Sequence, residues 1–179
     1  MKIRAASEAD AAAVGAIYGH HVLTSLGTFE EVPPTDEDMA GRIASVLKLG
    51  LPYLVAEDET GRVLGFAYAS AFRPRAAYRY TAEESVYVRP DTVGQGVGKA
   101  LVAEVIRICE AMGLRQLVAV IGDSGNAGSL GLHRSLGFTE IGTGRAFGHK
   151  HGRWVDIVQM QRALGPGADT EPDVEGLKL

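Results

Sequence analysis

Residues Ser85 to Ile106, SVYVRPDTVGQGVGKALVAEVI, run from an apolar strand through a glycine-rich turn into a helix. No other stretch constrains the fold as tightly. Glycines at 94, 96 and 98 let backbone N–H groups approach a ligand without interference from a Cβ. The helix that follows adds its unpaired first-turn amides and the positive end of its dipole. Such a turn suits an anion of the pyrophosphate kind. It is not a dinucleotide fingerprint, because Lys99 stands where the third glycine belongs. Nor is it a triphosphate loop: Ala100 follows Gly98-Lys99, so the magnesium-binding hydroxyl is missing, as is the leading glycine. Two readings stay open from the turn alone, a diphosphate cradle and a plain tight strand-to-helix connection.

The rest of the chain supplies a sheet for that unit to join. KIRAA alternates as a strand, and Ser7-Glu8-Ala9-Asp10 opens a helix over about residues 9–24. Thr35-Asp36-Glu37-Asp38 repeats the signal for a second helix ending near Gly50, with the loop TSLGTFEEVPP between the two. PYLVAED and RVLGFAYASAF read as a hairpin, and an Arg- and Tyr-rich link leads to a strand over 83–88. The helix after the glycine turn closes at Gly113, and RQLVAVI is a continuous apolar strand of the buried kind. A helix over 126–136 and two last strands, FTEIG and WVDIVQMQ, complete the order β-α-α-β-β-β-α-β-α-β-β. That order predicts an α/β (α+β) fold: a mixed, mostly antiparallel sheet with helices on both faces.

Charge and composition limit the partners. Of the formal −4, residues 165–179 carry −3 (Asp169, Glu171, Asp173 and Glu175 against Lys178), leaving −1 for residues 1–164. A near-neutral body has no basic footprint, so no nucleic-acid partner is expected. The Gly/Pro-rich acidic tail reads as disordered, and residues 1–164 as one domain. No apolar run reaches the roughly 18 residues that span a bilayer, and the N-terminus enters a strand directly. No membrane partner and a cytoplasmic location are therefore expected. The single cysteine, Cys109, excludes an internal disulfide and a cysteine zinc site, and its place on an apolar helix face suggests core. His149 and His151 alternate on one face, yet no partner completes a ligand set, so no metal is expected.

The glycine turn resembles the acyl-CoA-binding motif of the GNAT superfamily of N-acyltransferases, Arg/Gln-x-x-Gly-x-Gly/Ala, with Gly96 and Gly98 at the small positions. Val93 departs from it, standing where Arg or Gln is usual, and implies weaker cofactor affinity. TAEESVYVRP, NAGSLGLHRSLGF, GHKHGRWVDIVQMQ and GTFEEVPP resemble blocks of the phosphinothricin and methionine-sulfoximine acetyltransferase branch, over about residues 3–161. The resemblance implies acetyl-CoA as co-substrate, a small amino-acid-like acceptor and a homodimer. It implies cofactor contacts from Val86, Tyr87 and Val88, from Gly94, Gln95, Gly96, Val97, Gly98 and Lys99, and from Asn126, which alone reads as a helix N-cap.

Acetyl transfer to an amine needs the ammonium deprotonated, the carbonyl polarised and the thiolate stabilised. Glu83 and Glu84 are adjacent on a strand, so they point to opposite faces and one faces the site. The resemblance assigns the proton acceptor to Glu83. It also implies a strand that parts from its neighbour at a bulge, freeing the Val88 N–H to polarise the carbonyl. His133 stands where many relatives carry a thiolate-protonating tyrosine; it would do that, relay the amine's proton, or only pack. Arg73 and Arg75 flank Pro74 and would grip a carboxylate or oxyanion, or lie solvated. Glu84, Ser85, Phe29 and Tyr78 complete the expected acceptor pocket.

Overall fold

The computed structural model describes residues 1–179. Strand β1 (Lys2–Ala5) leads through a 3-10 turn at Glu8–Asp10 into α1 (Ala11–Thr24). Asp10 Oδ2 accepts from the Ser7 N–H at 2.8 Å, which closes the expected capping box one turn ahead of the helix proper. Helix α2 (Asp36–Lys48) starts on a second box: Thr35 Oγ1 accepts from the Asp38 N–H, and Asp38 Oδ2 from the Thr35 N–H, both at 3.1 Å. Strands β2 (Tyr53–Glu57), β3 (Val63–Ala71) and β4 (Thr81–Val88) follow, then α3 (Val97–Ala111), β5 (Gln116–Gly122), α4 (Ala127–Ser135), β6 (Thr139–Lys150) and β7 (Arg153–Ala163).

The seven strands form one sheet in the order β1-β2-β3-β4-β5-β7-β6, and only β4 and β5 run parallel. This is the expected mixed, mostly antiparallel sheet with helices on both faces. Side-chain alternation along β4 divides the core. Ala82, Val86 and Val88 pack with α3 residues such as Leu101, Val102 and Val105, whereas Tyr87 packs with α1 and α2 residues such as Val14, Tyr18 and Ile43. Glu84 and Glu83 therefore lie on opposite faces of the sheet.

The detail that positions the site is a divergence of β4 from β5. The two pair from Thr81–Gln116 to Glu84–Ala119 and no further, while β5 stays with β7 as far as Gly122–Ile157. The expected bulge is absent from the ladder on the other side of β4: its register with β3 is unbroken from Ala71–Ala82 to Gly65–Val88. The strands part because β5 follows β7, not because β4 buckles.

The expected alternation of His149 and His151 on one strand face is corrected: β6 ends at Lys150, which pairs with Arg153, and His151 falls in the two-residue turn between them. In that turn His151 and Gly152 have φ of 50° and 73°, both left-handed, as a tight hairpin demands. The tail, read as disordered, has no regular structure but lies against the body. The guanidinium of Arg115 donates to the carbonyls of Gly167, Thr170 and Glu171 and to Thr170 Oγ1 at 3.0–3.3 Å. Tyr80 Oη donates to the Val174 carbonyl, and Leu177 is buried in the larger core cluster. Five carbonyl and hydroxyl groups of the tail thus meet fixed donors that composition alone does not reveal. No helix is long and apolar enough to cross a membrane.

Candidate active site

Where β4 and β5 part, a cleft of about 940 Å³ opens, lined by Glu84–Val88 from one strand and Ala119–Gly122 from the other. Gly94, Gly96, Val97, Gly98 and Lys99 close one end, and Asn126, Ser129, Leu132 and His133 form a side wall. Gln95 does not line the cleft: its side chain donates back to the Asp91 carbonyl at 3.0 Å and steadies the turn.

The glycine turn is held open by conformation. Gly94 and Gly96 have φ of 80° and 82°, a region closed to most side chains, and Gly96 is the left-handed residue from which α3 starts without a side-chain cap. The first ladder bond of α3 runs from the Ala100 N–H to the Gly96 carbonyl, so the amides of Val97, Gly98 and Lys99 precede the ladder. Gly98 is needed for a different reason. A Cβ there would sit 3.0 Å from Leu132 Cδ1, and 3.6 and 3.7 Å from the γ-carbons of Val88 and Val86. Thr92 anchors the turn's entrance, its hydroxyl donating to the Leu64 carbonyl at 3.1 Å. Val93 is 66% exposed and brings no polar group to the mouth.

Along β4 the polar backbone alternates as well. The Arg89 N–H donates to the Leu64 carbonyl, which makes Arg89, Tyr87 and Ser85 the residues bonded to β3. The N–H and C=O groups of Val86 and Val88 consequently face the gap that β5 has vacated. Val88 presents its N–H there, while its carbonyl accepts from His21 Nε2 at 2.8 Å. A carbonyl partner requires the proton on Nε2, and burial holds the imidazole below its ordinary pKa, so the ring is a neutral donor. These free amides, the left-handed glycines and a helix start without a cap fit an extended ligand with a diphosphate at one end, which is the shape of acyl-CoA.

The two glutamates occupy different sites. Glu84, not Glu83, lines the cleft; its side chain is 1% exposed and its Oε1 lies 2.5 Å from His133 Nε2. His133 Nδ1 donates to the Ser129 carbonyl at 2.7 Å. Burial pulls the His133 pKa down, but the hydrogen bond and charge of Glu84 outweigh it and the net shift is upward. Glu83 is half-buried on the face of α1 and α2. Desolvation pushes its carboxyl upward, the charge of Arg73 opposes this, and that of Glu84 adds to it; the net shift is upward. Ser85 and Tyr87 lie on Glu83's face yet reach the cleft rim, because the gap exposes both sides of β4.

The structure does not bring the acceptor-side arginines into the cleft. Arg73 lies over the Phe72 ring, 5.1 Å from its centroid, and Arg75 folds back on the Pro74 carbonyl; both are exposed. Tyr78 is exposed and meets Phe72 edge-on at 5.5 Å. Phe29 leans on β6, so close that a Cβ at Gly148 would collide with its ring. On the face of Glu83, a second cavity of about 610 Å³ is walled by Tyr18, Met39, Tyr53, Phe66 and Tyr68, with Arg42 at its edge. Asn126 lines the cleft and also caps α4, accepting from the Ser129 N–H at 3.1 Å.

Three site features escape a reading of the sequence. His21 lies in the last turn of α1, and nothing in the sequence pairs it with the Val88 carbonyl. The loop Ser25–Gly27 crosses the cleft mouth, and Gly122 makes room for it: a Cβ there would collide with the Leu26 carbonyl oxygen. Lys150 is 2% exposed, and its Nζ donates to the carbonyls of Ser25 and Thr28 at 2.9 and 2.8 Å, tying that loop to β6. The pairing crosses more than 100 residues of chain, and no local pattern announces it.

Residues 20–138 match the acetyltransferase (GNAT) family. The chain is 52% identical over 171 residues to phosphinothricin N-acetyltransferase of Alcaligenes faecalis, covering 96% of this chain and 86% of that protein. It is 42% identical over 167 residues to an L-methionine sulfoximine/L-methionine sulfone acetyltransferase of Pseudomonas aeruginosa, with 92% and 95% of the two chains covered. Among solved structures, a GNAT superfamily phosphinothricin acetyltransferase from Sinorhizobium meliloti, in complex with AcCoA, superposes with a TM-score of 0.94 at 46% identity, over 99% of this chain and 95% of that one. By its fold, its glycine turn and its relatives alike, the chain belongs to the GNAT family of acetyl-CoA-dependent N-acetyltransferases.

Proposed function

We propose that this protein acetylates the α-amino group of a small amino-acid analogue of the phosphinothricin, methionine sulfoximine or methionine sulfone type. Relatives bearing those names cover nearly the whole chain at 42–52% identity. The observation that carries the mechanism is the parting of β4 and β5 beside a helix start without a cap. In that frame the amides of Gly94–Lys99 hold the diphosphate of acetyl-CoA, the inward backbone of Val86 and Val88 holds its arm, and Asn126 adds a side-wall contact. When bound, acetyl-CoA supplies an acyl group activated as a thioester.

The remaining steps belong to side chains on the two faces of β4. Glu83, with its upward-shifted carboxyl, takes the ammonium proton directly or through water on the face of α1 and α2. The Val88 N–H faces the gap where negative charge develops on the carbonyl oxygen. His133 protonates the departing thiolate. Direct attack by the amine fits better than an acyl-enzyme, because the only thiol, Cys109, is buried and pushed up to about 12. The acceptor enters past Phe29, Ser85 and Tyr78, and we assign its acidic group to Arg73 or Arg75. A protein N-terminus as acceptor is the alternative.

Thiol release, followed with phosphinothricin, methionine sulfoximine, methionine sulfone, free amino acids and a peptide, tests the reading. Turnover confined to the small acceptors is expected; turnover with the peptide alone overturns it. In the same assay Glu83→Gln lowers kcat at least tenfold near neutral pH, with the KM for acetyl-CoA within about twofold. An unchanged kcat removes Glu83 from the mechanism.

A further inference from the structure

The pairing of His133 with Glu84 carries a consequence for the acid that the reaction needs. His133 is fully enclosed and both its nitrogens are engaged: Nδ1–H on the Ser129 carbonyl at 2.7 Å, Nε2 on Glu84 Oε1 at 2.5 Å. A carbonyl can only accept, so Nδ1 carries a proton and the ring cannot turn over without losing that bond. Between Nε2 and Oε1 lies one further proton. The other carboxylate oxygen, Glu84 Oε2, is buried with no hydrogen-bond partner at all. Leaving a buried carboxylate oxygen without a protein partner costs free energy, so a second acceptor position stands free on the pair. Both residues line the cleft between β4 and β5.

We propose that Glu84 is the positioning partner of His133: it locks the imidazole tautomer and keeps the pair loaded with the one proton that the departing thiolate takes up. The proposal rests on the acetyltransferase reading above. As the amine's C–N bond forms and the C–S bond breaks, the C–S electron pair goes to sulfur, which takes the shared proton. The amine gives up two protons in all; one returns to the pair and the other is released to water. Glu83 and Glu84, neighbours in sequence, thereby work on opposite faces of one strand, the first removing a proton and the second helping to deliver one.

The other titratable groups that bear on the pair are few. From α3 comes the Cys109 thiol, which the charge of Glu84 helps push up after desolvation, and from β4 comes Glu83, which the same charge raises. Ser129 of α4 is the remaining polar neighbour. Cys109 is a neutral thiol and Glu83 points to the opposite face of the sheet, so neither replaces Glu84 as the negative group that keeps His133 protonated.

Two measurements test this. In the first, pH profiles of kcat are recorded for wild type, Glu84→Asp and Glu84→Gln. The uncharged amide should move the basic limb down by at least one pH unit and lower kcat at pH 8 about tenfold or more, with the KM for acetyl-CoA within about threefold and partial recovery in Glu84→Asp. Superimposable profiles for wild type and Glu84→Gln overturn the proposal. The second needs neither turnover nor a variant that folds: nitrogen-15 NMR of the imidazole in the ligand-free wild type. Nδ1 should stay protonated throughout, and the ring should stay doubly protonated well above pH 6.5; a neutral ring at pH 7 overturns the proposal. An absence of wild-type turnover with acetyl-CoA would defeat the acetyltransferase reading instead and leave the NMR result to decide the pair.

Discussion

At the scale of single residues, the site is held by buried polar side chains that reach partners on distant segments. Lys150 is the clearest case. Its ammonium is enclosed, burial pushes its pKa down, and its two acceptors are the carbonyls of the loop that crosses the cleft mouth. Lys150→Met keeps most of the stem's volume and orphans both carbonyls, at about 1–3 kcal/mol each if they stay buried. The loop will instead detach to reach water. A lower Tm and a KM for the acceptor raised several-fold, with that for acetyl-CoA little changed, are the expected outcomes; an unaltered acceptor KM would separate this lysine from the mouth. The His133 pair obeys the opposite sign. Its raised pKa favours the protonated form in the folded state, so its stabilisation is complete below about pH 6.5 and is lost as the pH rises through the folded value.

At the scale of elements, the decisive contact is between the first turn of α3 and β4. The helix can lie this close because position 98 has no side chain, so Leu132, Val86 and Val88 pack directly over its backbone. Gly98→Val places a branched side chain among those three. Overpacking of this kind costs about 1–3 kcal/mol and is relieved by moving the helix start away from the cleft. Because the anion-binding amides ride on that start, the KM for acetyl-CoA should rise at least tenfold while the circular dichroism spectrum is kept. A spectrum and a KM both like wild type would mean that the turn's amides do not hold the diphosphate. Val93, by contrast, is exposed at the rim and offers no polar side chain there, so the turn's donors are backbone amides.

For the molecule as a whole, the tail changes how the domain ends. Arg115, just before β5, is 7% exposed and gives four hydrogen bonds to residues 167–171, while Leu177 N–H donates to the Arg79 carbonyl and its side chain enters the core. The segment Arg73–Tyr80 is thus fastened at its end by residues nearly 100 positions later. Truncation after Leu164 should lower stability by about 3 kcal/mol, from the lost Leu177 burial and the Arg115 bonds, which re-exposure to water partly offsets. Calorimetry should record a Tm several degrees lower, and an unchanged Tm would show that the packed tail contributes nothing in solution.

Local physics was legible in the chain. The two capping boxes, the alternation of β4 and the left-handed glycines of the turn each depend on residues within about four positions of one another, so the element order and the opposite aims of Glu83 and Glu84 followed from the sequence. What only the tertiary structure decided were pairings between distant segments: Glu84 with His133, Lys150 with the Ser25–Thr28 loop, His21 with the Val88 carbonyl, and Arg115 with the tail. A hydrogen bond depends on distance and direction in space, and neither residue type nor spacing along the chain encodes these for partners 49 or more residues apart. For the same reason the gap between β4 and β5 could not be read from either strand: it exists because β5 follows a third strand, β7, in the folded sheet.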